Sequence, residues 1–182
     1  MKKIIISTIL FSCLNYAFAQ PIYSRDGKIL LVEAQNDAIM RINSDTGKSM
    51  SSLRFSKPIY HFKYTSDDCY IIVSSKDEIY LLYPDDMNFY KSYKKLGTGK
   101  IFDADLTPDQ KNIIATSQNN NQIIILNAQT GKVIKRITMR YTPATLKMTP
   151  TSKFAYITTK NDKYFIQMDL ATFNYKYIRK YY

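Results

Sequence analysis

Apolar and polar residues alternate in short segments along most of this chain, and turn residues separate the segments. The clearest stretch runs from residue 101 to residue 138. Its alternation predicts four strands, at Ile101–Leu106, Asn112–Ser117, Gln122–Asn127 and Val133–Thr138. The turns between them contain Pro108, Asp109 and Gly131, and each of these residue types suits the backbone geometry of a tight turn. Four strands joined in sequence by short turns predict one antiparallel meander.

The same unit is repeated along the chain. Four similar turn sequences have starts that lie 42, 41 and 42 residues apart. They are Ser24-Arg25-Asp26-Gly27, Ser66-Asp67-Asp68-Cys69, Thr107-Pro108-Asp109-Gln110 and Thr149-Pro150-Thr151-Ser152. A second sequence, Asp45-Thr46-Gly47-Lys48, recurs two periods later as Gln129-Thr130-Gly131-Lys132. A period of about 40 residues built from short strands is typical of propeller blades or of an array.

The other three units predict strands at corresponding places. These are 20–23, 29–33, 38–43 and 50–55 in the first unit, 59–64, 70–74, 78–83 and 88–95 in the second, and 143–148, 154–159, 164–169 and 174–180 in the fourth. The first of these strands is only a stub. The predicted fold class is therefore all-β, a propeller-like array of four four-stranded antiparallel blades, at about 20–56, 57–97, 98–140 and 141–182.

The first 19 residues have the features of a secretory signal peptide. Lys2 and Lys3 precede a short apolar stretch at 4–14, and Ala17-Phe18-Ala19 has the small-x-small form of a cleavage site. We expect cleavage after Ala19, which leaves 20–182 as the repeat domain. The protein is then periplasmic or secreted.

A second processing route stays open at the same end of the chain. Leu10-Phe11-Ser12-Cys13 resembles a bacterial lipobox, so a lipid anchor on Cys13 is the alternative. No later segment approaches the ~18 uninterrupted apolar residues of a spanning helix, so we do not expect the protein to span a membrane.

The repeat itself resembles a known family. A Ser-Pro-Asp-Gly-like turn, an apolar strand, an Ile-x-Val-x-Asp-like strand and Thr-Gly-Lys together resemble the bacterial Tyr-Val-Thr-Asn and WD-like β-propeller repeats, over essentially all of 20–182. The resemblance implies a propeller fold but no single activity, because these families include lactonase-like, dehydrogenase-associated and purely protein-binding members. The chain departs from the pattern at Cys69 and Gln110, which replace the turn glycine. It departs again at Pro84-Asp85-Asp86-Met87, which lacks Thr-Gly-Lys, and at Thr149-Pro150-Thr151-Ser152, which lacks Asp-Gly.

The number of repeats raises a question of closure. By the same resemblance, propellers of this type usually have six to eight blades, whereas this chain has four. A row of four must close into a ring or leave an apolar face and a strand edge uncovered. We expect the chain either to close tightly on itself or to pair with a second copy or another subunit.

Few residues are available for catalysis or metal binding. The chain has one histidine, His61, and after processing one cysteine, Cys69, so we predict no catalytic residues, no bound metal and no cofactor. We expect His61 to have a packing role in its strand and Cys69 to be a small residue at a strand start. Asp103 and Asp105 share one face of a strand, and with Asp109 they leave a Ca²⁺ site as a minor alternative to simple solvation. Gly97-Thr98-Gly99-Lys100 is interpreted as a link between blades, because it lacks the residues of a phosphate loop.

Basic residues are better organised than acidic ones. Removal of the leader lowers the number of Lys and Arg from 26 to 24, against 15 Asp and Glu, so the mature net charge is +9. Ten of these cations lie on or near the last strand of each unit: Arg54, Lys91, Lys94, Lys95, Lys135, Arg136, Arg140, Lys176, Arg179 and Lys180. In a propeller the last strand is the outer edge, so these residues predict a basic rim. Either the rim blocks intermolecular strand pairing, the alternative that we weight more heavily, or it binds an anionic partner.

Six tyrosines interleave with the basic rim, a mixture that suits interfaces: Tyr90, Tyr93, Tyr175, Tyr177, Tyr181 and Tyr182. We therefore expect an exported, non-enzymatic interaction or scaffold module of the bacterial cell envelope. Its partner would be a protein, a second copy or an anionic envelope component, and export disfavours nucleic acid. The alternatives are a propeller enzyme of the lactonase or dehydrogenase-associated type, and a subunit of a larger propeller.

Overall fold

The computed structural model describes residues 21–149, 151–161 and 163–180. These residues form sixteen strands and no helix, as the alternation predicts. Sheet I contains β1 (Ile22–Tyr23), β2 (Ile29–Ala34), β3 (Ala38–Asn43) and β4 (Ser49–Arg54). Sheet II contains β5 (Ile59–Tyr64), β6 (Ile71–Ser75), β7 (Glu78–Leu82) and β8 (Phe89–Lys94). Sheet III contains β9 (Ile101–Leu106), β10 (Asn112–Ser117), β11 (Gln122–Asn127) and β12 (Val133–Thr138). Sheet IV contains β13 (Pro143–Met148), β14 (Phe154–Thr159), β15 (Tyr164–Asp169) and β16 (Tyr175–Arg179).

Each sheet is an antiparallel meander whose strands lie side by side in chain order. The predicted fold class, an all-β propeller-like array of four four-stranded sheets, is therefore confirmed. The stub at the start of the first unit is also confirmed, since β1 has two residues. The predicted signal peptide with Cys13, together with Pro150, Tyr181 and Tyr182, lies outside the described residues. Within the described ranges, no helix has the length and hydrophobicity that a membrane span requires.

The turn between the first and second strands has the same hydrogen bonds in every sheet. The amide of Gly27 donates to the carbonyl of Ser24, and the amides of Asp68, Gln110 and Ser152 donate in the same way to residues 65, 107 and 149. All four donor residues have a positive φ, between 58° and 73°. The second turn therefore begins at Thr65, so our prediction that it begins at Ser66 is wrong by one residue. Asp68, not Cys69, occupies the glycine position.

Buried apolar side chains join each sheet to the next. One cluster, which includes Leu31, Ile39 and Phe62, lies between sheets I and II. A second lies between sheets II and III, and a third between sheets III and IV. None of these three clusters of described residues joins sheet IV to sheet I.

Candidate functional site

Three charged side chains meet where the first strands of sheets II and III come together. The ammonium of Lys63, on β5, lies 3.0 Å from Oδ1 of Asp103 and 3.5 Å from Oδ2 of Asp105, both on β9. The two aspartates are only 1% and 2% exposed, and the side chain of Lys63 is 15% exposed. We call these three residues the central ion cluster.

Sheet IV completes the surroundings of the cluster with its backbone. Oδ2 of Asp103 accepts a hydrogen bond from the amide of Leu146, on β13, at 2.7 Å. Lys63 donates to the carbonyl of the same residue at 2.6 Å. Asp105 accepts bonds from the amide and the hydroxyl of Ser66, so its carboxylate is bound from the sheet II side as well. The cluster therefore ties the inner strands of three sheets together.

The single histidine lies at the edge of this cluster. Nδ1 of His61 is 3.1 Å from Oδ1 of Asp103, and its side chain is 25% exposed. The ring also stacks on Phe102, with 6.5 Å between ring centroids. Oδ1 of Asp103 is buried and lies close to the Lys63 ammonium and to Nδ1 of His61, although neither forms a well-aligned hydrogen bond with it. His61 therefore adds a side chain that can carry positive charge beside Asp103, in addition to packing.

Opposing effects set the pKa values in the cluster. Burial lowers the pKa of Lys63, but the attraction of Asp103 and Asp105 outweighs burial, so the net change is upward. Burial raises the pKa of Asp103, yet Lys63, His61 and the Leu146 amide together bring it below its usual value. Burial prevails at Asp105, whose pKa is raised. The geometry favours a charged pair of Lys63 and Asp103.

The cluster changes our interpretation of the aspartates. Solvation does not explain Asp103 and Asp105, because both are buried, so that expectation is wrong. The Lys63 ammonium occupies the position between the carboxylates that a Ca²⁺ ion would need. Asp109 lies elsewhere, in a turn where it accepts a hydrogen bond from Thr107. In the described part of the chain, no three His, Cys, Asp or Glu side chains are grouped to hold a metal ion.

Sequence reasoning did not single out Lys63. The signal that identifies it is the repeat, since Lys63 and Asp105 lie 42 residues apart, one period, at corresponding positions of β5 and β9. A lysine and an aspartate at equivalent positions of adjacent inner strands are placed to form an ion pair.

The predicted basic rim lies on the outermost strands or directly beyond them. Strands β4, β8, β12 and β16 each form one edge of their sheet, opposite the inner strand. Eight of the ten residues are exposed, namely Arg54, Lys94, Lys95, Lys135, Arg136, Arg140, Lys176 and Arg179, while Lys91 and Lys180 are partly exposed. None of the ten takes part in the ion pairs found among the described residues.

Two rim residues have a structural task between sheets II and III. Lys91 donates hydrogen bonds to the carbonyls of Ala128 and Gln129. Arg136 reaches in the opposite direction and donates to the carbonyl of Leu96. These two cations bridge adjacent sheets, so they are less available to a partner than Lys94, Lys135 and Lys176.

The rim tyrosines fall into two groups. Tyr90 and Tyr175 are 47% and 39% exposed, whereas Tyr93 is buried and donates to the carbonyl of Ala128 at 2.7 Å. Tyr177 is partly exposed and accepts a hydrogen bond from the amide of Arg140. Tyr90 also stacks on Tyr70, with 4.7 Å between ring centroids. Only part of the predicted aromatic set therefore faces solvent.

Two predicted features lie in connections between strands: the glycines that link sheets II and III, and Cys69. Gly97 and Gly99 both have positive φ in the connection between β8 and β9, and the Thr98 amide donates to Asp77. This geometry confirms the predicted link between blades. Cys69 is exposed and lies in the turn before β6.

A scan against models of known protein families finds no match to this chain, and a search of curated proteins finds none either.

Proposed function

We propose that this protein is an exported, non-enzymatic interaction module of the bacterial cell envelope, related to the Tyr-Val-Thr-Asn and WD-like repeat proteins, whose basic rim binds an anionic envelope component. The observation that carries the proposal is the row of cations on the outer strands of all four sheets, none of them in an ion pair among the described residues. Cations on a surface attract anionic partners and speed their encounter.

The state of the buried ionisable groups supports a non-enzymatic role. Lys63 is engaged by Asp103, Asp105 and the carbonyl of Leu146, and both carboxylates accept further hydrogen bonds. A lysine with a raised pKa and an aspartate held charged by its neighbours are poor proton-transfer groups near neutral pH. Asp105 has a raised pKa, but it is 2% exposed and is engaged by Lys63 and Ser66, so its carboxyl is closed to a substrate. The cluster is better suited to joining sheets than to catalysis.

Vesicle binding tests the rim. The processed protein is sedimented with vesicles that contain phosphatidylglycerol and with vesicles of phosphatidylcholine alone, and a soluble sulfated polysaccharide serves as a competitor. Wild type should bind the anionic vesicles, and salt should weaken the binding. Each basic residue near an anionic surface contributes about 1 kcal/mol, so the triple variant Lys94→Glu, Lys135→Glu, Lys176→Glu should bind at least about a hundredfold more weakly.

A matched variant distinguishes the effect of where the lysines lie from the effect of net charge. Lys28→Glu, Lys111→Glu, Lys153→Glu changes the net charge equally, but these exposed lysines lie in the turns before β2, β10 and β14. This variant should bind within a few fold of wild type. Equal losses of vesicle binding in both variants would contradict the proposal. So would a wild type that binds neither the anionic vesicles nor the sulfated polysaccharide.

A second candidate is a subunit of a larger propeller. It is favoured by a separate observation, the partly exposed apolar face that sheet I presents on the side away from sheet II.

A further inference from the structure

Sheets II, III and IV each have four apolar positions that face the preceding sheet. They form two cross-strand pairs on the second and third strands: Ile71 with Leu82 and Val73 with Tyr80 in sheet II, Ile113 with Leu126 and Ala115 with Ile124 in sheet III, and Ala155 with Met168 and Ile157 with Ile166 in sheet IV. All twelve side chains are at most 5% exposed. We call the four positions of one sheet its quartet.

Sheet I has a quartet of the same kind, and no other sheet among the described residues covers it. Strand pairing places Leu30 opposite Ile42 and Val32 opposite Met40, on the face away from the cluster that contains Leu31 and Ile39. These four residues are as apolar as those of the internal quartets, yet all four are partly exposed. Terminal repeats of arrays normally carry a polar outer face, and this face of sheet I does not.

The opposite end of the array has the other free face. In the three internal interfaces, a quartet packs against the other face of the preceding sheet, which Ile72 and Leu81 represent in sheet II and Ile114 and Ile125 in sheet III. The corresponding positions of sheet IV are Tyr156 and Gln167.

This face of sheet IV remains accessible and carries an aromatic pair. Tyr156 is 36% exposed, its ring lies 5.8 Å from that of Phe165, and its hydroxyl accepts a hydrogen bond from Gln167. Within the described residues, it is the one face of its kind that has no following sheet.

We propose that two copies of this chain associate head to tail, with sheet IV of each copy packed on the sheet I quartet of the other. The occupant follows from the internal interfaces, because the two free faces of one chain lie at the positions through which its own sheets already pack. On sheet IV, Tyr156 and Gln167 stand where the internal contacts have isoleucine and leucine. Two such contacts close a symmetric ring of eight sheets, within the usual range of propeller sizes. The proposal does not depend on anion binding by the rim, so either can fail without the other.

Light scattering coupled to size exclusion tests the association. The protein is purified from the exported fraction, and mass spectrometry establishes its N-terminus. Wild type should have twice the mass of the chain. Val32→Lys on sheet I and Tyr156→Lys on sheet IV should each give a monomer, because each places a charge in the apolar contact. Ser92→Lys, on the outer strand of sheet II, adds the same charge and should leave the dimer intact.

Mixing the two monomeric variants identifies the faces. The Val32→Lys copy keeps a good sheet IV and the Tyr156→Lys copy keeps a good quartet, so an equimolar mixture should form a heterodimer with one intact contact. Unchanged circular dichroism and a cooperative unfolding transition would show that the variants are folded. A monomeric wild type overturns the proposal, as does a Tyr156→Lys variant that remains a dimer, which would mean that sheet I pairs with itself. Failure of the mixture to associate also overturns it.

Discussion

The substitution Lys63→Met tests the central ion cluster most directly. Methionine keeps the apolar length of the side chain but removes the ammonium, which lies within 3.5 Å of both Asp103 and Asp105. It also removes the hydrogen bond to the carbonyl of Leu146 on β13. Two buried carboxylates are then left without their shared counter-ion, and one link to sheet IV is lost.

The expected cost follows from the burial of the aspartates. Removal of one partner from a buried ion pair typically destabilises a protein by about 3–5 kcal/mol, because the remaining charge is uncompensated. The carboxylates keep part of their hydrogen bonding, from Leu146 to Asp103 and from Ser66 to Asp105. We therefore expect the free energy of unfolding to fall by about 3 kcal/mol, the lower end of that range.

Urea unfolding at neutral pH measures the change in the free energy of unfolding. A second substitution tests whether the uncompensated charge of Asp103 causes it. In the double variant Lys63→Met, Asp103→Asn, one carboxylate becomes a neutral amide that can still accept the bond from Leu146. The double variant should regain at least about half of the lost stability, since no unpaired charge remains on Asp103. If the single variant loses less than about 1 kcal/mol, the ion pair has no measurable role in stability.

The pH dependence of the same variant provides a second test. In the wild type, the pKa of Asp103 is lowered, so its stabilising contribution is present above its ordinary pKa and is lost as pH falls through the lowered value. Without Lys63, burial raises the pKa of this carboxyl in the folded state. The folded variant then binds protons more tightly than the unfolded chain. The difference in the free energy of unfolding between wild type and variant should therefore shrink as the pH falls from about 7 to about 4. A difference that stays constant over this range would refute the reasoning.

Two further predictions concern turns and packing, and both are measured by urea unfolding. Gly27 has a φ of 73° and nothing within 4 Å of an added Cβ, so Gly27→Ala should cost about 1 kcal/mol through backbone strain alone. Ser152 has a φ of 58° at the corresponding position of sheet IV, so Ser152→Gly should instead stabilise by up to about 1 kcal/mol; a change of the same sign in both would contradict the shared turn geometry. Phe62 is fully buried between sheets I and II, and Phe62→Ala should cost about 3–5 kcal/mol. Phe89→Ala is its control, since that side chain is 50% exposed, and an equal loss would contradict the assigned core.

The strands were predictable because an antiparallel meander is specified by short-range features of the sequence, the alternation within each strand and the turn residues between strands. Alternation and turn residues give all four strand bounds of sheet III as the structure has them. The predicted start of the turn before β6 was wrong by one residue. Asp67 accepts hydrogen bonds from Thr65 and from the amide of Cys69, which fixes the turn one residue earlier than the sequence pattern suggests. Strand β6 covers Ile71–Ser75, whereas the sequence predicts 70–74.

Contacts between sheets were less accessible to sequence reasoning. The outer position of the basic strands follows from strand order, but the bridges from Lys91 and Arg136 to backbone carbonyls depend on how closely sheets II and III approach each other. Lys63 was missed for a similar reason. Lysine is rarely buried unless it is paired, and its partners here belong to the next sheet and not to its own.

Sheet I is attached to the array in a different way from the other three sheets. Sheets II, III and IV share apolar clusters and are also tied at their inner strands by Lys63, Asp103 and the backbone of Leu146. Sheet I is attached through an apolar cluster and a hydrogen bond from Arg41 to the carbonyl of Asp85, and its first strand has two residues. Because stability in an array is roughly a sum over neighbouring units, a sheet with one covered face is the least stabilised. A second copy packed on the quartet would supply the missing neighbour where the array is weakest.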